Sequence, residues 1–521
     1  MIPKHGGRDC ELSSTGTNAN GSIDPGNVTG AILRQVPAAV EARGGRVWCS
    51  QGSYFSYSTD SLRRWASNGG CHYGDLGHVE CCTPTSLDPF EFSRRSLLSV
   101  RIAEEARRLA QAEASDDVTY ALSTANVDLL DPAISFGSHI SMAIEQTLWQ
   151  DLFTGYRRPS RLAMVASGIA AAIAFFGAGY LLPMKDRTVY SLSARAHHIT
   201  TVSTLSTTEP FRRGLLNSRR EPHGKGFERL HLIGFDFCLS SSAMLFSFLQ
   251  CLLAAAEECF CQLQIIDPVR ALRSWSWGLD LENGHMPITA GLVDGRQLTL
   301  PQYMRELTQT LLQMCETGLI PVTVAPHATD LLSRVVQLTD CAEAGRVADC
   351  ARHLTWASKL LCLLNHCEQE GGVLGDASTR LLDHDFANTD KERGMFWRLW
   401  EQREIDPLVD PDDVECGWSE PPREARDYAR GRLIELFADQ ITDVNWSYIE
   451  VNRSANSWGP RIRIDLPRLD DLDHNEFDAM LDSCRSLDAL IDRLKATQTA
   501  KTVDPLEDLT QHLVQPFRAS Q

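Results

Sequence analysis

Two uncharged stretches constrain this chain more than any other feature. Leu162 to Met184 runs 23 positions without an Asp, Glu, Lys or Arg, and Phe237 to Ala256 runs 20. Either is long enough to cross a bilayer. The first, however, is rich in Ala and Gly and weak in Leu. The second opens directly after Asp236 and carries Ser240, Ser241, Ser242, Ser247 and Gln250. Neither is flanked by the lopsided Lys/Arg cluster that orients a membrane span. Both are therefore expected to be buried helices, and no membrane partner is expected. A length of 521 residues allows two to four domains, or one large enzyme core with an appendage.

Around these stretches the patterning is mixed. A first strand is expected near Asp9 to Ser13, a strand and turn over Cys71 to Cys82, and a further strand over Thr119 to Leu130. Apolar positions at helical spacing from Leu97 to Leu109 mark an amphipathic helix over Phe90 to Glu113. Helical periodicity dominates residues 300–375, as in Met304 to Cys315 and Ala342 to Leu364. After a Pro-rich break at Ile405 to Pro422 come a helix over Arg423 to Gln440, a strand over Asn445 to Val451 and an acidic helical tail over Asn475 to Lys495. Strands and helices without regular βαβ alternation imply an α+β fold. The expected division is a catalytic domain over residues 1–424 and a small C-terminal domain over 425–521.

Sixteen cysteines invite a zinc or disulfide reading, but no C-x-x-C pair occurs, and most lie among apolar residues as free thiols do. With no apolar leader in the first 30 residues, a reducing cytoplasm is the expected home. The net charge of −18 argues against nucleic acid as a partner, and against an acidic protein docking broadly over the surface. That average hides an inversion. Between Arg212 and Arg229 stand six basic residues, Arg212, Arg213, Arg219, Arg220, Lys225 and Arg229, opposed only by Glu221 and Glu228. The segment is either a basic surface turn or the local positive field that a polyphosphate needs. In Gly70 to Thr85, His72, Asp75, His78 and Glu80 fall within nine positions. His78 and Glu80, two apart, share a face if the segment is a strand, so the set is either a polar turn or a ligand set for a divalent cation. Gly7-Arg8-Asp9-Cys10-Glu11 puts two carboxylates on one strand face, and Ser135 to His139 is expected to end a strand on a histidine. No P-loop, dinucleotide-binding glycine fingerprint or nucleophile elbow is present.

In chain order these pieces resemble the Pup ligase and Pup deamidase/depupylase family (proteasome accessory factor A type), relatives of glutamine synthetase. Gly7 to Glu11 is similar to its G-x-E-x-E strand, with Asp9 for the first Glu. Asn68 to Asp75, then His78-Val79-Glu80, follows its N-G-A-R-x-Y-x-D-x-x-H-P-E block. Asn126-Val127-Asp128 and Phe136 to Ser141 resemble N-N-x-D and Y-G-[SC]-H-E-N. Leu192 to Ala196 looks like L-S-Q-R-A. Leu216 to His223 and Glu228 to Asp236 resemble I-N-T-R-D-E-P-H and R-R-L-H-V-I-x-G-D. Pro421-Pro422, Arg426, Arg430-Gly431 and Trp446 are similar to its late P-P-x-x-T-R-A-x-x-R-G and Trp.

The resemblance implies a glutamine synthetase-like cradle of curved antiparallel sheet packed with helices, and a use for ATP and Mg2+. It implies that Asp9, Glu11, Glu80, His139 and His231 hold the metal, that Arg219, Arg229, Arg195 and His223 meet the nucleotide, and that Asp75 is the catalytic carboxylate. The implied activity is a carboxylate–amine ligase acting through an acyl phosphate, on a peptide, Pup-like protein or small acid and an amine acceptor. An amide hydrolase of the deamidase type and a catalytically degenerate nucleotide-binding homologue are the alternatives. A short connection between Asp9 and Asn68 favours the ligase branch. Three departures, Ile140, Arg220 and Thr85, stand where the family pattern has Glu, Asp and Glu, and imply a changed substrate or weakened ATP handling.

Overall fold

Strand β1, Gly6–Asn18, alternates strictly through its first half: Arg8, Cys10 and Leu12 are buried, whereas Gly7, Asp9 and Glu11 are only half-buried. That period of two divides a central sheet into a core face and a site face. The computed structural model describes residues 1–50, 62–129, 131–154, 159–207, 209, 212–258, 262–452, 461–484, 486–497 and 499–503. Among these, eleven strands form one sheet. They are β1, β2 (Gly21–Ser22), β3 (Val47–Cys49), β4 (Arg64–Ala66), β5 (Cys71–Asp75), β6 (His78–Cys82), β7 (Thr119–Ser123) and β8 (Ser138–Ile144), then, after a separate hairpin of β9 (Tyr180–Pro183) and β10 (Thr188–Ser191), β11 (Ile199–Thr204), β12 (Arg213–Asn217) and β13 (Glu228–Leu232). The order is β11-β12-β13-β8-β1-β6-β5-β4-β3, with β2 and β7 on the far half of β1. The pairings are antiparallel except β11 with β12.

Both uncharged stretches are buried helices. The first runs Pro159–Phe175 and then breaks at Gly177 and Gly179, so β9 takes up the end of the stretch. The second runs Ser242–Glu257. Some of their polar groups are bonded internally: Gln250 donates to the carbonyls of Lys4 and Leu87, and Ser167 accepts from the Ile265 amide, whereas Ser247 Oγ and Gln250 Oε1 are buried without a partner. No helix among the described residues is long and apolar enough to cross a membrane. The helix Pro89–Glu113 lies on the same core side. Buried Arg8 reaches from β1 into this layer, its guanidinium between the rings of Phe92 and Phe237 at 5.0 and 4.8 Å and donating to Ser242.

Four strands, Ile441–Asn445, Tyr448–Asn452, Arg461–Asp465 and Ala500–Val503, form a second, antiparallel sheet. Its apolar side packs with the helices Asp427–Phe437, His474–Leu481 and Leu487–Ala496, and with Trp48, Trp65, Cys71 and Cys82 of the central sheet. The fold is α+β, with a mixed central sheet, helices and a small C-terminal sheet.

Several local expectations are corrected. Ala342 to Leu364 is not one helix: it breaks at Gly345, which sits at φ +71°, leaving the ends of Ala328–Glu343 and Thr355–Glu370 around a short helix Val347–Ala351. The strand expected over Thr119 to Leu130 stops at Ser123. His139 is the second residue of β8 instead of ending a strand.

Candidate active site

Strand register decides which side chains meet. Asp9 on β1 pairs with His139 on β8 and Cys82 on β6, while Glu11 pairs with Glu80 on β6, which in turn pairs with Tyr73 on β5. His231 on β13 pairs with Ser141 on β8. Residues two apart share a face, so Arg229, His231, His139, Ser141, Asp9, Glu11, Glu80, Tyr73 and Asp75 all stand on the face away from the core. They line one cavity of about 410 Å³, closed by Arg63, Arg219, Glu221, His223, Arg426 and Trp446 among others.

Local devices hold this face in place. The β5–β6 hairpin turns on Leu76 and Gly77, at φ +49° and +85°, the pair of left-handed residues that a tight two-residue hairpin requires. Asp75 is thereby fixed at the strand's last position. The Gly137 amide donates to the Glu11 carboxylate. A Cβ at Gly137 would sit 2.5 Å from the His139 ring, so glycine here makes room for the imidazole. The loop from Ser218 to Gly226 is pinned to the C-terminal segment by the Lys225 amide, which donates to the Pro467 carbonyl at 2.7 Å.

Electrostatically the cavity is divided. On the β13 side, Arg229 Nε donates to Ser141 Oγ at 2.9 Å, and its guanidinium lies 3.0 Å from His223 Nε2, 3.6 Å from Asp9 and 3.6 Å from Glu221. Burial and then Arg229 hold His223 down at about 4, so its imidazole is neutral at pH 7. Burial likewise lowers His139 to about 4, and burial, Arg229 and His139 keep His231 well below the usual imidazole range. Toward β5 the carboxylates crowd. Burial, followed by Asp9, Glu11 and Asp75, pushes Glu80 well above the usual carboxylate range. Burial and Glu11 raise Asp75. For Glu11 burial acts upward, but His139 and the Gly137 amide outweigh it and its carboxyl is held low.

The residues present suit a divalent cation in their donor chemistry, with carboxylates for Mg2+ and imidazoles better suited to softer ions. Two observations point the same way: Glu80 is burdened by like charges that a cation would relieve, and buried His231 Nε2 has no hydrogen-bond partner. Among the described residues, however, no three His, Cys, Asp or Glu side chains are already drawn together as a metal cluster.

Nine of the ten residues named from the sequence line this cavity; Arg195 does not. Its guanidinium is fully buried and donates to the carbonyls of Ile233 and Phe235 at 2.7 and 3.3 Å. Asp236 accepts from the Arg195, Ala194 and Ala178 amides beside it. Arg195 therefore braces the chain beside the site and does not itself line the cavity. Of the three departures, Ile140 faces the apolar core and Arg220 turns out of the cavity onto Glu228, so only Thr85 lines the site. Sequence reasoning missed Arg63, which belongs to no motif, and left Tyr73 and Arg426 without a role. Tyr73 was legible from its parity with Asp75.

Residues 33–450 match the family model described as "Pup-ligase protein". Among curated proteins, the Pup deamidase/depupylase of Mycobacterium tuberculosis is 25% identical over 446 residues, covering 82% of each chain. A Pup–protein ligase of Kocuria rhizophila is 27% identical over 400 residues, covering 74% of this chain and 82% of that one. The ligase PafA, in a crystal structure of its complex with the prokaryotic ubiquitin-like protein Pup, superposes with a TM-score of 0.71 at 17% identity, covering 100% of this chain and 97% of that one. PafA in complex with ADP gives a TM-score of 0.66 at 19% identity, covering 82% and 90%.

Proposed function

Since this chain belongs to the Pup-ligase protein family, we propose that its cavity is the active site of an ATP- and Mg2+-dependent carboxylate–amine ligase. One observation carries the proposal. A single sheet face presents an ionisable carboxylate at a strand end, three further carboxylates, two neutral imidazoles and Arg229, all in register, with His223 of the adjoining loop against that arginine. A carboxylate is a poor electrophile and is activated by phosphorylation, so the site must neutralise phosphates and manage a proton.

Arg229 and Arg219, with neutral His223 beside Arg229, are the groups to hold nucleotide phosphates. Arg229 is set for this by Ser141 and His223. Asp9, Glu11, Glu80, His139 and His231 are the residues to hold the metal, which when bound supplies charge neutralisation at phosphate oxygens. The carboxylate of the acid substrate displaces ADP from the γ-phosphorus, giving an acyl phosphate. The amine then attacks the acyl carbon, Asp75 takes the proton that the amine loses, and inorganic phosphate leaves. The acid is a peptide, a Pup-like protein or a small acid.

The test is stoichiometry. Protein incubated with ATP, Mg2+, a carboxylate donor such as Pup and a lysine-bearing acceptor should yield one ADP and one phosphate per amide formed. Amide hydrolysis with no nucleotide consumed would favour the second reading, a deamidase-type hydrolase. That reading is supported by the curated relative named Pup deamidase/depupylase. A degenerate binding protein is less well supported, because two of the three departures point away from the cavity.

A further inference from the structure

We propose that Cys251 and Cys315 are a modification site, a dithiol that closes reversibly to a disulfide when the protein meets a disulfide oxidant. The proposal does not depend on the ligase reading. Cys251 lies midway along the buried helix Ser242–Glu257, and Cys315 is the next-to-last residue of the helix Leu300–Glu316. The two are 64 positions apart in the chain, yet the packing of these helices brings their sulfurs to 3.7 Å, within hydrogen-bond distance. No other two cysteines among the described residues are hydrogen-bonded sulfur to sulfur. A disulfide holds its sulfurs at about 2.05 Å, so closure asks for a contraction of about 1.7 Å, which two side-chain torsions can share. Neither residue lines the catalytic cavity.

The two thiols are unequal in the way that disulfide exchange requires. Cys251 is fully buried, whereas Cys315 is half-buried and is followed by four exposed residues, Glu316 to Leu319. An oxidant in solution therefore meets Cys315 first. The hydrogen bond from Cys251 draws the Cys315 thiol below its ordinary range, against burial and Glu316, and the thiolate is the attacking species. Burial pushes the thiols of Cys10, Cys71, Cys81 and Cys82 the other way. The Cys315 thiolate attacks one sulfur of a glutathione-type disulfide, forming a mixed disulfide and releasing one small thiol. Cys251 then gives up its proton and attacks the Cys315 sulfur, expelling the second small thiol. Two protein thiols and one disulfide become one protein disulfide and two small thiols, with two electrons passed to the oxidant. The bridge closes a long loop, restricts the unfolded chain and so stabilises the fold. In a reducing compartment the pair rests as two thiols.

Peptide mapping by mass spectrometry tests this on the full-length protein, reduced, freed of reductant and then exposed to oxidised glutathione without denaturant. The expected result is a linked Cys251–Cys315 peptide in most molecules, lost again on reduction, with no glutathione left on either residue and a higher Tm in the oxidised protein. Exposed Cys49 and Cys416 are internal controls, since no thiol is bonded to either and glutathione that caps them should stay. Cys251→Ala removes the second attacking thiol, so glutathione should remain on Cys315. In Cys315→Ala the buried Cys251 should stay free. Glutathione retained on Cys315 of the wild type overturns the proposal, as does a wild type in which Cys251 and Cys315 are both free while Cys49 and Cys416 are capped. Should either variant fail to fold, the wild-type map decides alone.

Discussion

Arg229 and Asp9 face each other at 3.6 Å across β8, and Ser141 on the intervening strand receives the arginine's Nε at 2.9 Å. The pair joins the two halves of the cavity, the basic β13 side and the carboxylate side. Because Asp9 is already matched, Arg229 is held in place before any anion arrives. Arg229→Ala should weaken ADP binding by about 10- to 100-fold, the worth of a hydrogen bond to a charged group. Arg220→Ala is the control, since its guanidinium lies on Glu228 outside the cavity, and it should leave ADP affinity within about twofold. Calorimetry on the two variants checks this; equal losses would contradict the assignment.

Asp75 must be ionised to accept a proton. Burial and the neighbouring Glu11 raise its carboxyl above the ordinary aspartate range, so kcat/KM should fall on the acid side as pH drops through that raised value. Asp75→Asn should lower the rate by about 10²–10⁴-fold and remove that acid limb. A pH–rate profile of amide formation checks both. A limb that survives in the variant belongs to another group.

Burial, followed by the neighbouring Asp9, Glu11 and Asp75, raises the Glu80 carboxyl well above the usual range. A carboxyl whose folded value is raised contributes stability below its unfolded value and loses it as pH rises, so at pH 7 Glu80 destabilises the metal-free protein. Glu80→Gln should therefore raise the Tm measured in EDTA. Mg2+ should raise the Tm of the wild type and add little to the variant. Scanning calorimetry with and without Mg2+ decides it; a variant that is less stable in EDTA would contradict the crowding described here.

Arg195 lies outside the cavity with its guanidinium on backbone carbonyls, which predicts a supporting role. Arg195→Met leaves the Ile233 and Phe235 carbonyls without their donor and should cost about 1–3 kcal/mol of stability. ADP affinity of the folded protein should be unchanged. Denaturant melts and calorimetry together check this, and a selective loss of ADP binding at full stability would restore the nucleotide role.

What the sequence made legible follows from which interactions are local. The Asp9–Glu11 and His78–Glu80 spacings, and the basic stretch from Arg219 to Arg229, are short-range patterns, and strand parity carried Asp9, Glu11, Glu80 and Arg229 to one face. The same parity applied to Ile140, next to His139, already places it on the core side, so that departure loses its force as an argument against activity. The placement of Arg195 off the cavity was not readable because its segment forms no regular strand or helix, so a motif match gave no direction for the side chain. Arg63 was hidden because its neighbour Tyr73 lies across a strand pair, and pairing partners are not visible in one sequence. The break inside Ala342 to Leu364 was readable at Gly345, a residue able to take the left-handed conformation that ends a helix.

The most direct test of the central claim is a count of ADP against product. With Pup as carboxylate donor, Mg2+ and a lysine-bearing acceptor, the wild-type protein should form ADP, phosphate and amide in equal amounts, and Asp75→Asn should form almost none of the amide. Amide formed or cleaved at full rate without ADP production, or undiminished in Asp75→Asn, would contradict it.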